Sequence, residues 1–146
     1  DSPDNRGIDC ALFYDESKFT MKESVPITIT LSSGKPTRDV LYVKGEFAGE
    51  ILHLFVNHWP SNYGGREKAI PKRAVTSNLL ENVLLDILED DPDANIVLIG
   101  DFNEEPTDSN IIELIDMKND NNYGILECLV TIKTYPKILS SISTIE

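Results

Sequence analysis

An acid and an amide stand two residues apart directly after a very apolar run. The run covers residues 96–99, and Gly100, Asp101, Phe102 and Asn103 follow it. Side chains two apart in an extended segment point in nearly the same direction, so Asp101 and Asn103 can converge on one ligand. A carboxylate there can accept a proton from water, and an amide can hold an oxygen in place. The same residue types form Asx turns, so the motif alone leaves a turn and a catalytic edge both open.

A histidine stands at the end of a second apolar run. His58 follows residues 50–57 and precedes Trp59. A solvated or helical histidine is unusual at such a place, which makes His58 a candidate site residue. The alternative is a loop histidine that packs on Trp59, a residue interpreted here as a packing residue. His53, in the middle of the run, is interpreted as structural.

The elements that must position these side chains follow from hydrophobic periodicity. Short apolar or alternating runs predict five strands, at residues 8–14, 25–31, 39–47, 50–57 and 96–100. The two residues Ala48 and Gly49 predict a tight hairpin turn, because glycine adopts a left-handed conformation at little cost. Pro26 is compatible only with the beginning of a strand or with a strand at the edge of a sheet.

A helix is predicted over residues 71–89. Pro71 suits a first helical turn, and Pro92 prevents the helix from continuing past the acidic stretch before it. Seven apolar residues recur at helical spacing on one face: Val75, Leu79, Leu80, Val83, Leu84, Ile87 and Leu88. Hairpins, one crossover helix and then a very apolar strand predict a mixed α/β layered fold with residues 96–100 inside a sheet.

Composition narrows the function classes. The chain has 146 residues and a net charge of −12, which disfavours non-specific binding to nucleic-acid phosphates. Four of the basic groups nevertheless cluster in residues 66–73, so a local basic site remains open. No apolar run reaches the roughly 20 residues of a membrane helix. Cys10 and Cys128 are interpreted as buried free thiols, with a disulfide as the alternative, and their spacing to the two histidines fits no zinc site.

Taken together, the segment NHWPS, a helix and the segment GDFNEEP resemble the endonuclease/exonuclease/phosphatase family over residues 6–107. The resemblance implies the α/β (α+β) fold of deoxyribonuclease I, here a partial four-layer sandwich with mixed, mostly antiparallel sheets. Residues 1–146 are then one incomplete domain with an atypical tail at residues 124–146.

The resemblance also implies a metal-dependent phosphoester hydrolase. In this interpretation His58 contacts the phosphoryl group, Asp101 orients or deprotonates the attacking water and helps to hold magnesium, and Asn103 positions an oxygen. Such roles suit phosphoryl transfer, in which positioning and charge neutralisation dominate.

Further residues are assigned more peripheral positions. Ser61, Asn62, Arg66 and Arg6 are the candidate substrate-binding residues, each with a turn, surface or ion-pair role as the alternative. The two glutamates after Asn103, Glu104 and Glu105, are predicted to be solvated loop acids.

The chain departs from the family pattern on both sides of these motifs. An upstream Glu that holds the metal and a downstream Asp-His pair have no counterpart in the sequence. We therefore expect weak or absent magnesium binding and little or no turnover by these 146 residues. The alternative is a catalytically inactive module that binds a phosphorylated ligand or a protein. Unpaired strand edges predict self-association, whereas the substrate (small molecule, lipid headgroup or nucleic acid) and the compartment stay open.

Overall fold

The computed structural model describes residue 3 and residues 7–120 and 127–130. One five-stranded sheet has the order β1-β2-β3-β4-β5. The elements are β1 (Phe19–Ile27), β2 (Val40–Phe47), β3 (Glu50–His58), α1 (Arg66–Asp90), β4 (Asn95–Asp101), α2 (Ser109–Asp120) and β5 (Glu127–Val130). The first three strands pair antiparallel, and β3, β4 and β5 pair parallel. The predicted mixed α/β fold is confirmed, with β4 inside the sheet.

The hairpin between β2 and β3 forms as predicted. Ala48 and Gly49 connect the strands, with φ values of 53° and 89°. Two left-handed residues suit a two-residue turn between twisted strands. The strands alternate, and Phe55 and Asn57 are buried on one face while Leu54 and Val56 on the other face are half-buried.

Helix α1 begins earlier than predicted. It starts at Arg66, so Pro71 lies inside the helix instead of in its first turn. Proline has no N–H and removes one helical hydrogen bond at that point, and the packing of the helix offsets this loss. The end at Asp90, before Pro92, matches the prediction.

The core lies between α1 and one face of the sheet. Leu80, Leu84 and Leu88 of α1 pack with Phe55 of β3 and Leu98 of β4, and all five are fully buried. Ile111 and Leu114 of α2 complete the same cluster. The predicted apolar face of α1 is therefore confirmed, and the face of the sheet that carries Leu54 and Val97 points away from it.

The N-terminal strand predictions were wrong. Residues 8–14 form no strand, and Phe13 is 96% exposed. Strand β1 instead covers Phe19–Ile27, so the predicted strand at residues 25–31 overlaps it only at its end. Most of β1 is exposed on both faces, and a strand without a buried face has no apolar alternation to recognise.

Strand β1 is nevertheless fixed to the sheet at one end. The Phe19 ring lies where a side chain at Gly45 would stand, since a Cβ there would be 2.1 Å from the Phe19 Cζ atom. Pro26 lies in this edge strand, as predicted. Self-association through such an edge stays a prediction.

The two cysteine predictions have different outcomes. Cys10 has a free thiol and is half-buried, so it is less enclosed than predicted. Burial raises the pKa of this thiol, although the charge of Arg38 opposes the shift. The side chain of Cys128 lies outside the described part of the chain, as does most of the predicted atypical tail at residues 124–146. Among the described residues, no helix is long and apolar enough to cross a membrane.

His53 has a structural role, as predicted. The residue is 7% exposed, and its Nδ1 atom lies 2.9 Å from the Tyr42 hydroxyl. Burial lowers the pKa of His53 below 6.5, and the charge of Lys44 adds to this effect.

This lowered pKa predicts a loss of stability on acidification. Below about pH 6.5 the unfolded chain takes up a proton at residue 53 that the folded chain excludes, so stability falls as the pH falls towards the folded pKa. Above that pH the group contributes no pH dependence. We expect the His53→Gln variant to lose less unfolding free energy than the wild type between about pH 7.5 and about pH 5.5, measured by urea unfolding. Equal pH dependence in the two proteins would contradict this expectation.

Candidate active site

His58 and Asp101 lie side by side at the carboxyl ends of β3 and β4, two neighbouring strands inside the sheet. They are the last register pair between the parallel strands β3 and β4. Register pairs in a parallel sheet share a face, and this pair follows Leu54 and Val97 on the face away from α1. Both residues are half-buried. An imidazole and a carboxylate can therefore reach the same ligand.

A glycine allows the two strand ends to come this close. Gly100 has a φ of 125°, and a Cβ there would be 2.0 Å from the Asn57 carbonyl oxygen. A side chain at this position would overlap the backbone of β3. The close pairing of β3 and β4 therefore requires a glycine directly before Asp101.

Asn103 forms the turn and also reaches the histidine loop, which we define as residues 58–65. Its φ is 52°, and its backbone N–H donates to Asp101 Oδ1 at 3.0 Å. This is the Asx turn that the residue types allowed. The side-chain amide donates to the Trp59 carbonyl at 3.0 Å. The turn therefore brings the Asn103 amide to the loop that carries His58.

Trp59 anchors the histidine loop in the core. It is 1% exposed, and its indole N–H donates to Asn57 Oδ1 at 3.0 Å. Its backbone N–H donates to the Asp101 carbonyl at 2.9 Å. The indole packs edge-on against Phe102 with ring centroids 5.1 Å apart. The predicted packing role is confirmed, and it links the two motifs directly.

Arg38 supports the histidine loop from the other side. Its guanidinium donates to the carbonyls of His58 and Trp59, at 2.9 Å and 2.8 Å. The residue is 4% exposed. Sequence reasoning missed Arg38, because an arginine before a predicted strand carries no local sign of burial.

A second buried arginine, Arg73 of α1, joins the histidine loop to the aspartate loop, which we define as residues 101–108. Its Nη1 atom donates to the Pro60 carbonyl and to Asn62 Oδ1, both at 3.0 Å. Its Nε atom forms an ion pair with Glu104. The prediction that Glu104 is a solvated acid was wrong, because Arg73 compensates its burial. Glu105 is exposed, as predicted.

Arg66 lies at the start of α1 and pairs with Asp108. The Nη2 atom donates to Asp108 Oδ1 at 2.6 Å. Asp108 also accepts the backbone N–H of Glu105 at 2.7 Å. The Glu105 hydrogen bond first, and Arg66 second, lower the pKa of the Asp108 carboxyl. Arg66 thus tethers the aspartate loop, and its assignment to substrate stays a prediction.

The structure brings together the three residues assigned to catalysis, His58, Asp101 and Asn103. Ser61 is half-buried in the histidine loop, and Asn62 is bound to Arg73. Arg6 lies outside the described residues. The individual roles of all these residues in binding or catalysis stay predictions.

The structure shows no cluster of metal-ligating side chains among the residues that it describes. None of them form a group of three or more His, Cys, Asp or Glu side chains that could hold a metal ion. Asp101 supplies a carboxylate, but its Oδ1 atom already accepts the Asn103 N–H. Glu104, a buried acid three positions after Asp101, is paired with Arg73. Magnesium is usually held by one or two carboxylates together with waters and substrate phosphates, so Asp101 supplies at most a part of such a site.

Residues 1–138 match the sequence profile of the Endonuclease/Exonuclease/phosphatase family. The chain belongs to this family. The match extends on both sides of residues 6–107, where the motifs indicated the resemblance. Comparison with curated proteins gives no significant match.

Solved structures support the deoxyribonuclease I-like fold of the family. Truncated TDP2 from Caenorhabditis elegans is 22% identical with a TM-score of 0.51, over 60% of this chain and 33% of that one. The human nocturnin catalytic domain, solved with a bound sulfate anion, is 21% identical with a TM-score of 0.55, over 67% of this chain and 35% of that one. The chain therefore spans about a third of the length of these structures. The predicted family and fold are confirmed.

Proposed function

We propose that this chain carries one wall of a phosphoester-hydrolysing site. His58 contacts the phosphoryl group, Asp101 orients or deprotonates the attacking water, and Asn103 holds an oxygen of the water or of the phosphate. Family membership supports the reaction class, which in this family generally uses a divalent metal. The observation that carries the residue assignment is the register pairing of His58 with Asp101.

The local contacts support this assignment. Positioned donors lower the barrier of phosphoryl transfer only if they are held in place before the reaction. Asn103 is fixed at both its backbone and its side chain, and Trp59 joins the two loops through main-chain atoms. The wall is therefore pre-organised in the absence of a ligand.

We further propose that these 146 residues bind a phosphoryl group without turning it over. Among the described residues, Asp101 does not belong to a group of three or more metal-ligating side chains, and this supports binding without hydrolysis. The second candidate function is a catalytically inactive module of the same fold that binds a phosphorylated ligand. The same shortage of metal ligands among the described residues supports it. Small phosphoesters or lipid headgroups suit the net charge of −12 better than long nucleic acids do.

An NMR titration with inorganic phosphate tests the proposed contacts of His58 and Asn103 with a phosphoryl group. We expect phosphate to shift the His58 ring signals and the Asn103 side-chain amide signals, and His58→Ala to weaken phosphate binding by about tenfold or more, which corresponds to about 1.4 kcal/mol. The control is His53→Gln. This variant changes the other histidine of the chain, which lies in the middle of β3 and not at its carboxyl end. A phosphate titration that leaves both sets of signals unchanged would refute the binding wall.

A parallel assay tests turnover. With magnesium and bis(p-nitrophenyl) phosphate, we expect product formation no faster than in buffer. Magnesium-dependent hydrolysis that His58→Ala abolishes would confirm the wall and overturn the proposal that the chain is inactive by itself.

A further inference from the structure

We propose that Arg73 and Glu104 are positioning residues of this site. Their buried ion pair holds the histidine loop and the aspartate loop at the mutual distance that phosphoryl binding needs. This inference rests on the proposed function, because it assigns a role at the same site. Arg73 lies outside the NHWPS and GDFNEEP segments that indicated the site, and Glu104, within the second, was predicted to be a solvated acid.

The contacts of Arg73 reach both loops from one rigid group. Its Nη1 atom donates to two acceptors of the histidine loop, the Pro60 carbonyl and Asn62 Oδ1. Its Nε atom pairs with Glu104 in the aspartate loop. Pro60 is two residues from His58, and Glu104 directly follows Asn103. A shift of the guanidinium would therefore displace both loops close to the proposed site residues.

Glu104 is in turn held by helix α2. The Asn110 amide donates to Glu104 Oε1 at 3.1 Å, the same oxygen that Arg73 contacts. The Asn110 carbonyl accepts the Ser77 hydroxyl of α1 at 2.8 Å. The side chains of Arg73 and Glu104 are 0% and 1% exposed. The network thus ties α1, α2 and both loops together through an ion pair that is out of contact with solvent.

A purely stabilising role does not account for this arrangement. A buried ion pair contributes little net stability, because the loss of hydration offsets the attraction, and apolar residues of similar volume are often as stable. A planar guanidinium does differ from an apolar group in one respect, since it fixes several acceptors in one geometry. Here those acceptors lie in the two loops that carry His58 and Asn103, so the gain from the pair is geometric.

The test compares Arg73→Lys with Leu84→Ala in the full chain. Lysine keeps the charge of Arg73 but cannot hold three acceptors in one plane. Leu84→Ala opens a cavity in the α1 core and lowers stability without changing any polar contact of the loops. The readouts are the NMR signals of the His58 ring and the Asn103 side-chain amide, the dissociation constant for inorganic phosphate, and the free energy of unfolding.

We expect Arg73→Lys to shift both sets of signals in the free protein and to weaken phosphate binding by about fivefold, which corresponds to about 1 kcal/mol. Leu84→Ala should leave both readouts unchanged, although it also destabilises the fold. Shifts no larger in Arg73→Lys than in Leu84→Ala would overturn the positioning role.

Two further outcomes keep the inference separate from the proposed function. If the wild type binds no phosphate, the proposed function fails, while the signals of the free protein still decide whether Arg73 positions the loops. If Arg73→Lys does not fold, Asn62→Ala takes its place, because it removes one acceptor of Arg73 at an exposed residue. That variant should shift the His58 signals and leave the Asn103 signals in place, and unchanged His58 signals would overturn the inference.

Discussion

Gly100→Ala is expected to lower the free energy of unfolding by more than about 3 kcal/mol, or to prevent folding. The new Cβ would stand 2.0 Å from the Asn57 carbonyl oxygen and 2.8 Å from the Asn57 nitrogen. Both neighbours are backbone atoms of β3, which cannot move without breaking the pairing with β4. The φ of 125° adds strain for any residue that has a side chain. Urea unfolding followed by the fluorescence of Trp59, the one tryptophan of the chain, measures the effect.

Gly49→Ala is the matched control for this substitution. Gly49 also has a positive φ, 89°, but a Cβ there would meet no atom within 4 Å. It should lose only about 1–2 kcal/mol, the cost of a left-handed conformation for alanine. If the two variants lose equal stability, backbone strain alone explains the effect, and the close contact between β3 and β4 contributes nothing.

Local patterns predicted the elements that carry the candidate site residues. The hairpin at Ala48 and Gly49, the buried face of α1 and the strand before Gly100 each depend on neighbours within one element or one turn. Hydrophobic periodicity and turn chemistry report such features directly. His58, Asp101 and Asn103 could be selected as candidates because they stand at ends of elements defined in this way.

Contacts between side chains far apart in the sequence could not be predicted from it. Glu104 and Glu105 are identical in type and adjacent, yet one is buried and the other exposed. The difference arises from Arg73, which lies 31 positions earlier on a helix. Residues 8–14 were predicted to form a strand and do not. An apolar run forms a strand only where another strand can pair with it, and the run itself carries no information about such a partner.

The turn interpretation of the GDFN segment is confirmed, and it is compatible with the catalytic interpretation, which stays a proposal. Asp101 Oδ1 accepts the Asn103 N–H in an Asx turn, and the same turn directs the Asn103 amide to the Trp59 carbonyl. The turn fixes the amide before any ligand arrives, which is a condition for electrostatic catalysis. In the proposed function, these hydrogen bonds would therefore serve both the structure and the chemistry.

Glu104→Gln is expected to lower the free energy of unfolding by about 3 kcal/mol. The change removes the negative charge that compensates the fully buried guanidinium of Arg73. A charge left without its partner in the interior costs more than the intact pair contributes, because the protein replaces neither its hydration nor its counter-charge. Glutamine retains an oxygen for the Asn110 amide, so the loss belongs mainly to the charge. Urea unfolding measures the loss.

Glu105→Gln is the matched control, since it makes the same chemical change at an exposed side chain. Its effect should stay within about 0.5 kcal/mol. A double variant, Arg73→Met with Glu104→Leu, should recover part of the loss of Glu104→Gln, because it leaves neither charge buried alone. Recovery of stability without recovery of the His58 and Asn103 signals would separate the two roles of the pair. A double variant less stable than Glu104→Gln would instead mean that the hydrogen bonds of Arg73 to the histidine loop also carry much of the stability.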